Sequence, residues 1–266
     1  MDPLRHAVEF VRRAGNEIEQ IRLQVLLAKP VDIANAVTSF AQTQAPDGGW
    51  APFWIDSSAL DSTCFRLAQL EQLGLTPQES IVNRALQFLS RHQHSDGSWA
   101  EDEQFGDVAP PWCKPGDVSA QLYVTSNCAY WLGFFGYEPD RVRAAAEFLA
   151  RHVEASGRMQ SFLHTHWLSV GVLQAGGYQP TAEVVLSYLQ SRIADLDASS
   201  LAWMIGSLLG VGLERHHILL VQAATRLRAT QEPDGRWRSA DGPDHDVHAT
   251  LEAIRALRRM VPVSSS

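Results

Sequence analysis

Asp61 stands just inside an apolar stretch that opens Ala59-Leu60-Asp61-Ser62-Thr63-Cys64. A carboxyl carried into such surroundings loses hydration, so its charged form is disfavoured and it stays protonated, ready to act as a general acid. The same residue near a helix start also serves as a cap for orphan N–H groups, as do Asp117 and Asp246. His164 and His166 flank Thr165 ahead of another apolar stretch. Paired with Asp246 or His248 they have the atoms to move protons or bind a metal; polar residues satisfied at a rim are the alternative. Rings are dense in the apolar segments, with Phe65, Tyr123, Tyr130, Trp131, Trp167 and Trp203, and Trp54 and Trp112 stand in connections. A ring face stabilises a cation by roughly 0.5–2 kcal/mol, and core packing uses the same rings.

The elements that must position these side chains repeat. Three segments, Gln44 to Trp50, Gln93 to Trp99 and Gln231 to Trp237, read Q-x-x-D-G-x-W. A repeat bounds the architecture before local propensity is consulted. Each copy follows an amphipathic stretch with a small residue eight positions ahead of its Gln, namely Ala36, Ala85 and Ala223. The same register finds weaker copies: residues 142–149 match 82–89, with Gly157 retained in the turn that follows, residues 4–11 fit, and residues 185–189 fit in part. Asp-Gly makes a turn, and the Gln and Trp are expected to clamp adjacent helix ends by hydrogen bonding and stacking.

Between the copies lie largely apolar segments near residues 63–74, 125–136, 165–176, 201–212 and 250–259. Four of these end in Gly, which suits a helix C-cap, and Pro3, Pro30, Pro77, Pro139 and Pro180 are placed to open the amphipathic helices. With residues 17–27 as the first apolar member, amphipathic and apolar helices alternate six times. The pattern predicts an all-α chain, an (α/α)6 toroid of six helical hairpins forming one domain over residues 1–266, with an open solenoid as the competing geometry. In a toroid the connections into the inner helices emerge at one end. Asp56, Asp61, Trp112, Cys113, Lys114 and Asp117 are therefore expected at one mouth, with His164, His166, Asp244, His245, Asp246 and His248. The longest connection, residues 100–117, begins acidic with Glu101, Asp102 and Glu103 and reads as a lid over that mouth.

A net charge of -8 with no basic run argues against a nucleic-acid surface. No apolar segment approaches a membrane span, and the start at Met1 and Asp2 lacks a basic region followed by an apolar run, so a cytoplasmic protein without a transmembrane segment is expected. Cys64, Cys113 and Cys128 are too few and too irregular for a disulfide framework.

The repeated Q-x-x-D-G-x-W segments, with their alternating helices, resemble the QW repeats of squalene-hopene cyclase-like class II terpene cyclases and of protein prenyltransferase β subunits. The resemblance spans nearly the whole chain and speaks for the fold more than for the reaction. For a class II cyclase it implies D-x-D-D-T-A at the head of an inner helix, whose middle acid protonates an alkene or epoxide. Asp61 and Thr63 match, whereas Ala59 and Ser62 replace the first and third acids, and no Asp-Asp pair occurs anywhere in the chain. The reading that follows is an isomerase or lyase that holds an isoprenoid in a central apolar cavity and starts cyclisation from Asp61, with no cofactor or metal needed for the proton step. Arg66 and Lys114 are the cations placed to meet a diphosphate, or to form ion pairs. A second domain, which class II enzymes generally have, would come from a homodimer or partner subunit. The prenyltransferase resemblance implies instead a zinc site, for which Cys128 and His248 are the nearest ligands, although Ser126 stands where an Asp is needed; magnesium is the other metal alternative. A non-catalytic toroid binding a lipid or a protein is the reading from a different class, and unrelated chemistry at His164, His166 and His248 is a further one.

Overall fold

The computed structural model describes residues 3–261; Met1 and Asp2 lie outside the described residues. Among these the chain is all-helical, with one isolated bridge pairing Trp50 and Ala59. The helices are α1 (Pro3–Ala14), α2 (Glu17–Leu26), α3 (Ala34–Thr43), α4 (Leu60–Gln72), α5 (Ser80–Arg91), α6 (Val118–Phe134), α7 (Pro139–Ala150), α8 (Leu163–Ala175), α9 (Gln179–Ser191), α10 (Ala198–Gly210), α11 (Ile218–Ala229) and α12 (Asp246–Met260). No described helix is long and apolar enough to cross a membrane. The described residues divide into two compact units, one drawn from residues 3–36 and 190–261, the other from residues 37–189.

The alternation read from the pattern has a physical counterpart in burial. α5 buries Ile81, Val82, Ala85, Leu86, Phe88 and Leu89 along one face, the spacing of an amphipathic helix. α6 buries every residue from Leu122 to Leu132, so it must be covered on all sides, and α4, α5, α7 and α8 supply that cover. In the other unit α12 packs against α1, α2, α10 and α11. α2 departs from the apolar expectation. Its Arg22 is 1% exposed and forms an ion pair with Glu252 of α12 at 3.0 Å.

The three Gln-to-Trp segments fold alike. The indole N–H of Trp50, Trp99 and Trp237 donates back to the carbonyl of Phe40, Leu89 and Leu227, at 3.2, 2.7 and 2.7 Å, tying the turn to the helix before it. The backbone N–H of the same tryptophans donates to the hydroxyl of Thr63, Thr125 and Thr250 at 3.1, 2.9 and 3.0 Å, tying it to the helix after. The Gln side chains bond the Gly carbonyls within each turn, and Gln44 and Gln93 reach on to Ile81 and Arg141 of the next amphipathic helix at 2.9 Å. The glycines take φ of 95°, 92° and 93°, and a Cβ at Gly48 or Gly97 would strike the carbonyl of Arg84 or Ala144. Gly157 makes the same approach to Val184 in the weaker copy. Gly235, in the last copy, lies against His6 of α1.

Three punctuation marks fall differently from the sequence reading. Pro30 and Pro77 lie in the turns ahead of α3 and α5 rather than at their first residues. After α8 the left-handed residue is Gly177, φ 87°, while Gly176 is pressed against Ala146. The 100–117 connection is pinned within the second unit by the buried Phe105 and Cys113, each in a short 3-10 turn, Glu103–Phe105 and Pro111–Cys113. Phe105 meets Trp54 edge-on at 5.6 Å.

Candidate active site

α4 starts without a cap of its own, since its N-cap residue is Ala59, and Asp61 sits in the first turn with its carboxyl turned towards α6. Tyr123 and Asn127, four residues apart and so on one face of α6, both donate to Oδ1 of Asp61, the Tyr123 hydroxyl at 2.9 Å and the Asn127 amide at 3.4 Å. Trp112, from the 111–113 turn, donates its indole N–H to Oδ2 at 3.1 Å. Burial pushes the Asp61 carboxyl above its ordinary value, and the three donors oppose that shift without cancelling it. The outcome is a carboxyl shifted towards its neutral form, with hydrogen-bond donors already aimed at the anion it leaves behind.

The missing cap comes from elsewhere. Glu101, 5% exposed and two residues beyond Trp99, accepts the backbone N–H of Leu60 on Oε2 and of Asp61 on Oε1, both at 2.9 Å. Burial pushes Glu101 up to about 7, against the two N–H bonds that favour its charge. Glu101 also lines a cleft of about 640 Å³ with Leu60, Gln121, His92 and His94. Thiols surround the same place: the sulfurs of Cys64 and Cys128 are 3.9 Å apart, and burial raises both of these thiols and Cys113, which keeps them protonated.

The other residues singled out in the sequence divide among several places. Tyr123 meets His164 edge-on at 6.2 Å, and His164 meets Trp167 at 4.9 Å, so these three join Asp61 and Trp112 in one neighbourhood of the second unit. His166 is held apart by the backbone: its Nε2 accepts the N–H of Met159 at 2.9 Å and its Nδ1 lies 3.0 Å from the Phe162 carbonyl, a neutral ring on structural duty. Tyr130 and Trp131 stack with Phe134 and Phe135 towards the far end of α6. Phe65 is half exposed, Lys114 is exposed, and Arg66 bonds Gln69 at 2.8 Å while lying over the Phe40 ring. Asp117 caps α6 through the N–H of Ala120.

Asp246, His248 and Trp203 belong to the other unit. Asp246 is not the cap of α12; it is the helix's first residue, accepts the N–H of Ser239 at 2.8 Å and pairs with Arg236 at 3.3 Å. His248 has the guanidinium of Arg22 3.2 Å from its Nδ1, and burial depresses it to about 4. Trp203 is half-buried on α10. Among the described residues no three His, Cys, Asp or Glu side chains converge as a metal site requires. Cys128, a thiol raised by burial, and His248, with a cation against its ring nitrogen, are both poorly suited to hold zinc.

The sequence singled out Asp61, Trp112 and Tyr123, which the structure brings together, but left Asn127 unmentioned and placed Glu101 only within an acidic loop. Asn127 carried a signal, being four residues from Tyr123 on a helix without charged side chains. The role of Glu101 depends on a contact 41 residues away in sequence, which no local pattern encodes.

No family model matches the chain, and no curated protein does. Solved structures do. The type II terpene cyclase MstE from Scytonema, in a complex with geranylgeranyl dihydroxybenzoate as substrate, matches at a TM-score of 0.66 and 15% identity over 97% of this chain and 96% of that one. A protein from Actinoplanes matches at 0.64 and 19% identity over 97% and 98%. Alpha-2-macroglobulin from Escherichia coli matches at 0.57 and 15% identity over 97% of this chain and 42% of that chain. At these identities the likeness is one of fold: the chain is an all-α protein of the α/α-toroid class.

Proposed function

We propose that the chain is a terpene cyclase-like enzyme that begins ring closure by protonating a C=C bond of an isoprenoid from Asp61. One observation carries this reading: a carboxyl raised by burial, yet facing three donors, from Tyr123, Asn127 and Trp112. Burial favours the protonated form of Asp61, and the donors stabilise the carboxylate as the proton leaves, so they act more strongly in the transition state than before it. The alkene's π electrons take the proton of Asp61 to form a C–H bond, and positive charge appears on the neighbouring carbon. Further double bonds of the same chain close on that cation, and loss of a proton ends the sequence. The rings of Tyr123 and Trp167 near Asp61, and of Tyr130 and Trp131 about 10 Å further along α6, are suited to stabilise the moving charge. The 100–117 connection, which brings Trp112 to Asp61, would cover the acid and exclude water.

The fold shared with a type II terpene cyclase, which binds geranylgeranyl dihydroxybenzoate as substrate, supports an isoprenoid of similar length. The likeness to alpha-2-macroglobulin, together with Ala59 and Ser62 in the places of two acids, favours as a second reading a toroid that binds without catalysing. Incubation with geranylgeranyl dihydroxybenzoate, farnesyl and geranylgeranyl diphosphates and squalene, followed by mass spectrometry of extracts, separates the two. Cyclised product that disappears with Asp61→Asn is expected; no product from any of them, or equal product from Asp61→Asn, removes the enzyme reading.

A further inference from the structure

The acid motif to which Asp61 conforms lacks its neighbouring carboxyls, because Ala59 and Ser62 stand in their places. Ser62 is turned to the backbone, bonding the carbonyls of Ala59 and Trp50, and Ala59 leaves the start of α4 uncapped. Glu101 occupies the gap. Each of its oxygens accepts one N–H from the first turn of α4, and the second of those N–H groups belongs to Asp61 itself. Two backbone donors at the positive end of a helix are among the best settings for a carboxylate charge.

We propose that Glu101 is the positioning residue of the Asp61 acid: it fixes the first turn that carries Asp61 and couples its own ionisation to that of Asp61. The inference rests on the reading of Asp61 as the acid, and it supplies from a distant segment the second carboxyl that the local motif lacks. Each Glu101 oxygen accepts one backbone N–H, whereas Asp61 accepts two side-chain donors on Oδ1 and one on Oδ2. The charge of Asp61 raises Glu101, so loss of a proton from one carboxyl makes loss from the other harder. Burial raises both groups, Glu101 to about 7.

Other groups that titrate nearby do not take over this role. Asp61 faces Tyr123 and Cys128 on α6, Cys64 on its own helix and Cys113 on the 111–113 turn, all raised and therefore neutral in this range. Glu101 is followed by Asp102, whose charge pushes it up further, and shares its cleft with Asp47, His92, His94 and Glu103. None of these bonds the first turn of α4 as Glu101 does.

The test follows the side-chain carboxyl carbons of 13C-labelled Asp and Glu by NMR as a function of pH, on the full chain without substrate, with Asp61→Asn and Glu101→Gln providing the assignments. In the unaltered protein the Asp61 signal is expected to show an inflection where Glu101 ionises, as coupled carboxyls do. In Glu101→Gln, which removes the charge and keeps an oxygen for one N–H, the Asp61 midpoint is expected to fall by about one pH unit. An Asp61 signal blind to the ionisation of Glu101, or an Asp61 midpoint that stays in place while Glu101→Gln merely melts at a lower temperature, would make Glu101 a simple cap and overturn the proposal. Should Glu101→Gln fail to fold, the response of Asp61 to the ionisation of Glu101 in the unaltered protein still decides. No substrate enters this experiment, so an inability to cyclise isoprenoids would defeat the proposed activity and leave the Glu101 result to stand or fall separately.

Discussion

Tyr123, Asn127 and Trp112 each hold an oxygen of Asp61, and their effects on the proposed reaction differ from their effects on stability. Tyr123→Phe removes only a hydroxyl. A hydrogen bond to a developing carboxylate contributes about 1.5–3 kcal/mol, so turnover is expected to fall roughly 10- to 100-fold, while thermal melting shows a fold that persists. A second residue-scale effect concerns pH. Glu101, raised from 4.5 to about 7, favours the folded state below pH 4.5 and loses that contribution as pH rises through 7. His248, depressed from 6.5 to about 4, works in the opposite sense: the folded state holds it neutral, so stability rises with pH between those values. Each amounts to about 3 kcal/mol, and where the windows overlap they oppose one another. Urea unfolding of the unaltered protein should therefore change little between these limits, whereas Glu101→Gln should gain stability steadily as pH rises. An equally flat curve for Glu101→Gln would contradict the account. Asp61 was legible in the sequence because a lone acid in an apolar stretch is conspicuous; Glu101 was not, because its partners are amides of another segment.

The recurring element is a turn bonded to both of its helices, and the threonines that receive the tryptophan N–H groups are its least obvious part. Thr63 and Thr250 lie the same distance beyond their tryptophans, but the inserted 100–117 connection carries Thr125 further away in sequence, which hid the correspondence. Thr125→Val should leave the buried Trp99 N–H without an acceptor and cost about 1–3 kcal/mol in chemical denaturation; an unchanged midpoint would mean the bond contributes nothing. In the weaker fourth copy Met159 replaces the tryptophan and His166 replaces the threonine, its ring nitrogen accepting the same backbone N–H. That explains a histidine which, read as sequence, offered itself as a proton carrier or ligand. His166→Ala is accordingly expected to destabilise by a similar ~1–3 kcal/mol, with no change in activity per folded molecule; a loss of activity at full folding would return His166 to the chemistry.

At the scale of the whole molecule the fold was legible because a repeat is a property of the entire chain, and its period of paired helices leaves few architectures open. Gly235 of the last intact copy packs on His6 of the first helix as Gly48 and Gly97 pack on the helices that follow them. The chemistry was less legible, since the same fold serves a terpene cyclase from Scytonema and alpha-2-macroglobulin from Escherichia coli, and what distinguishes one use from another lies in a few side chains around Asp61. If Asp61 starts the reaction, its proton comes from solvent between turnovers and ends on carbon. Running the reaction in heavy water and weighing the cyclised product is the direct measurement. The account predicts one solvent deuterium bound to carbon in each product molecule and no product from Asp61→Asn; a product free of solvent deuterium would contradict it.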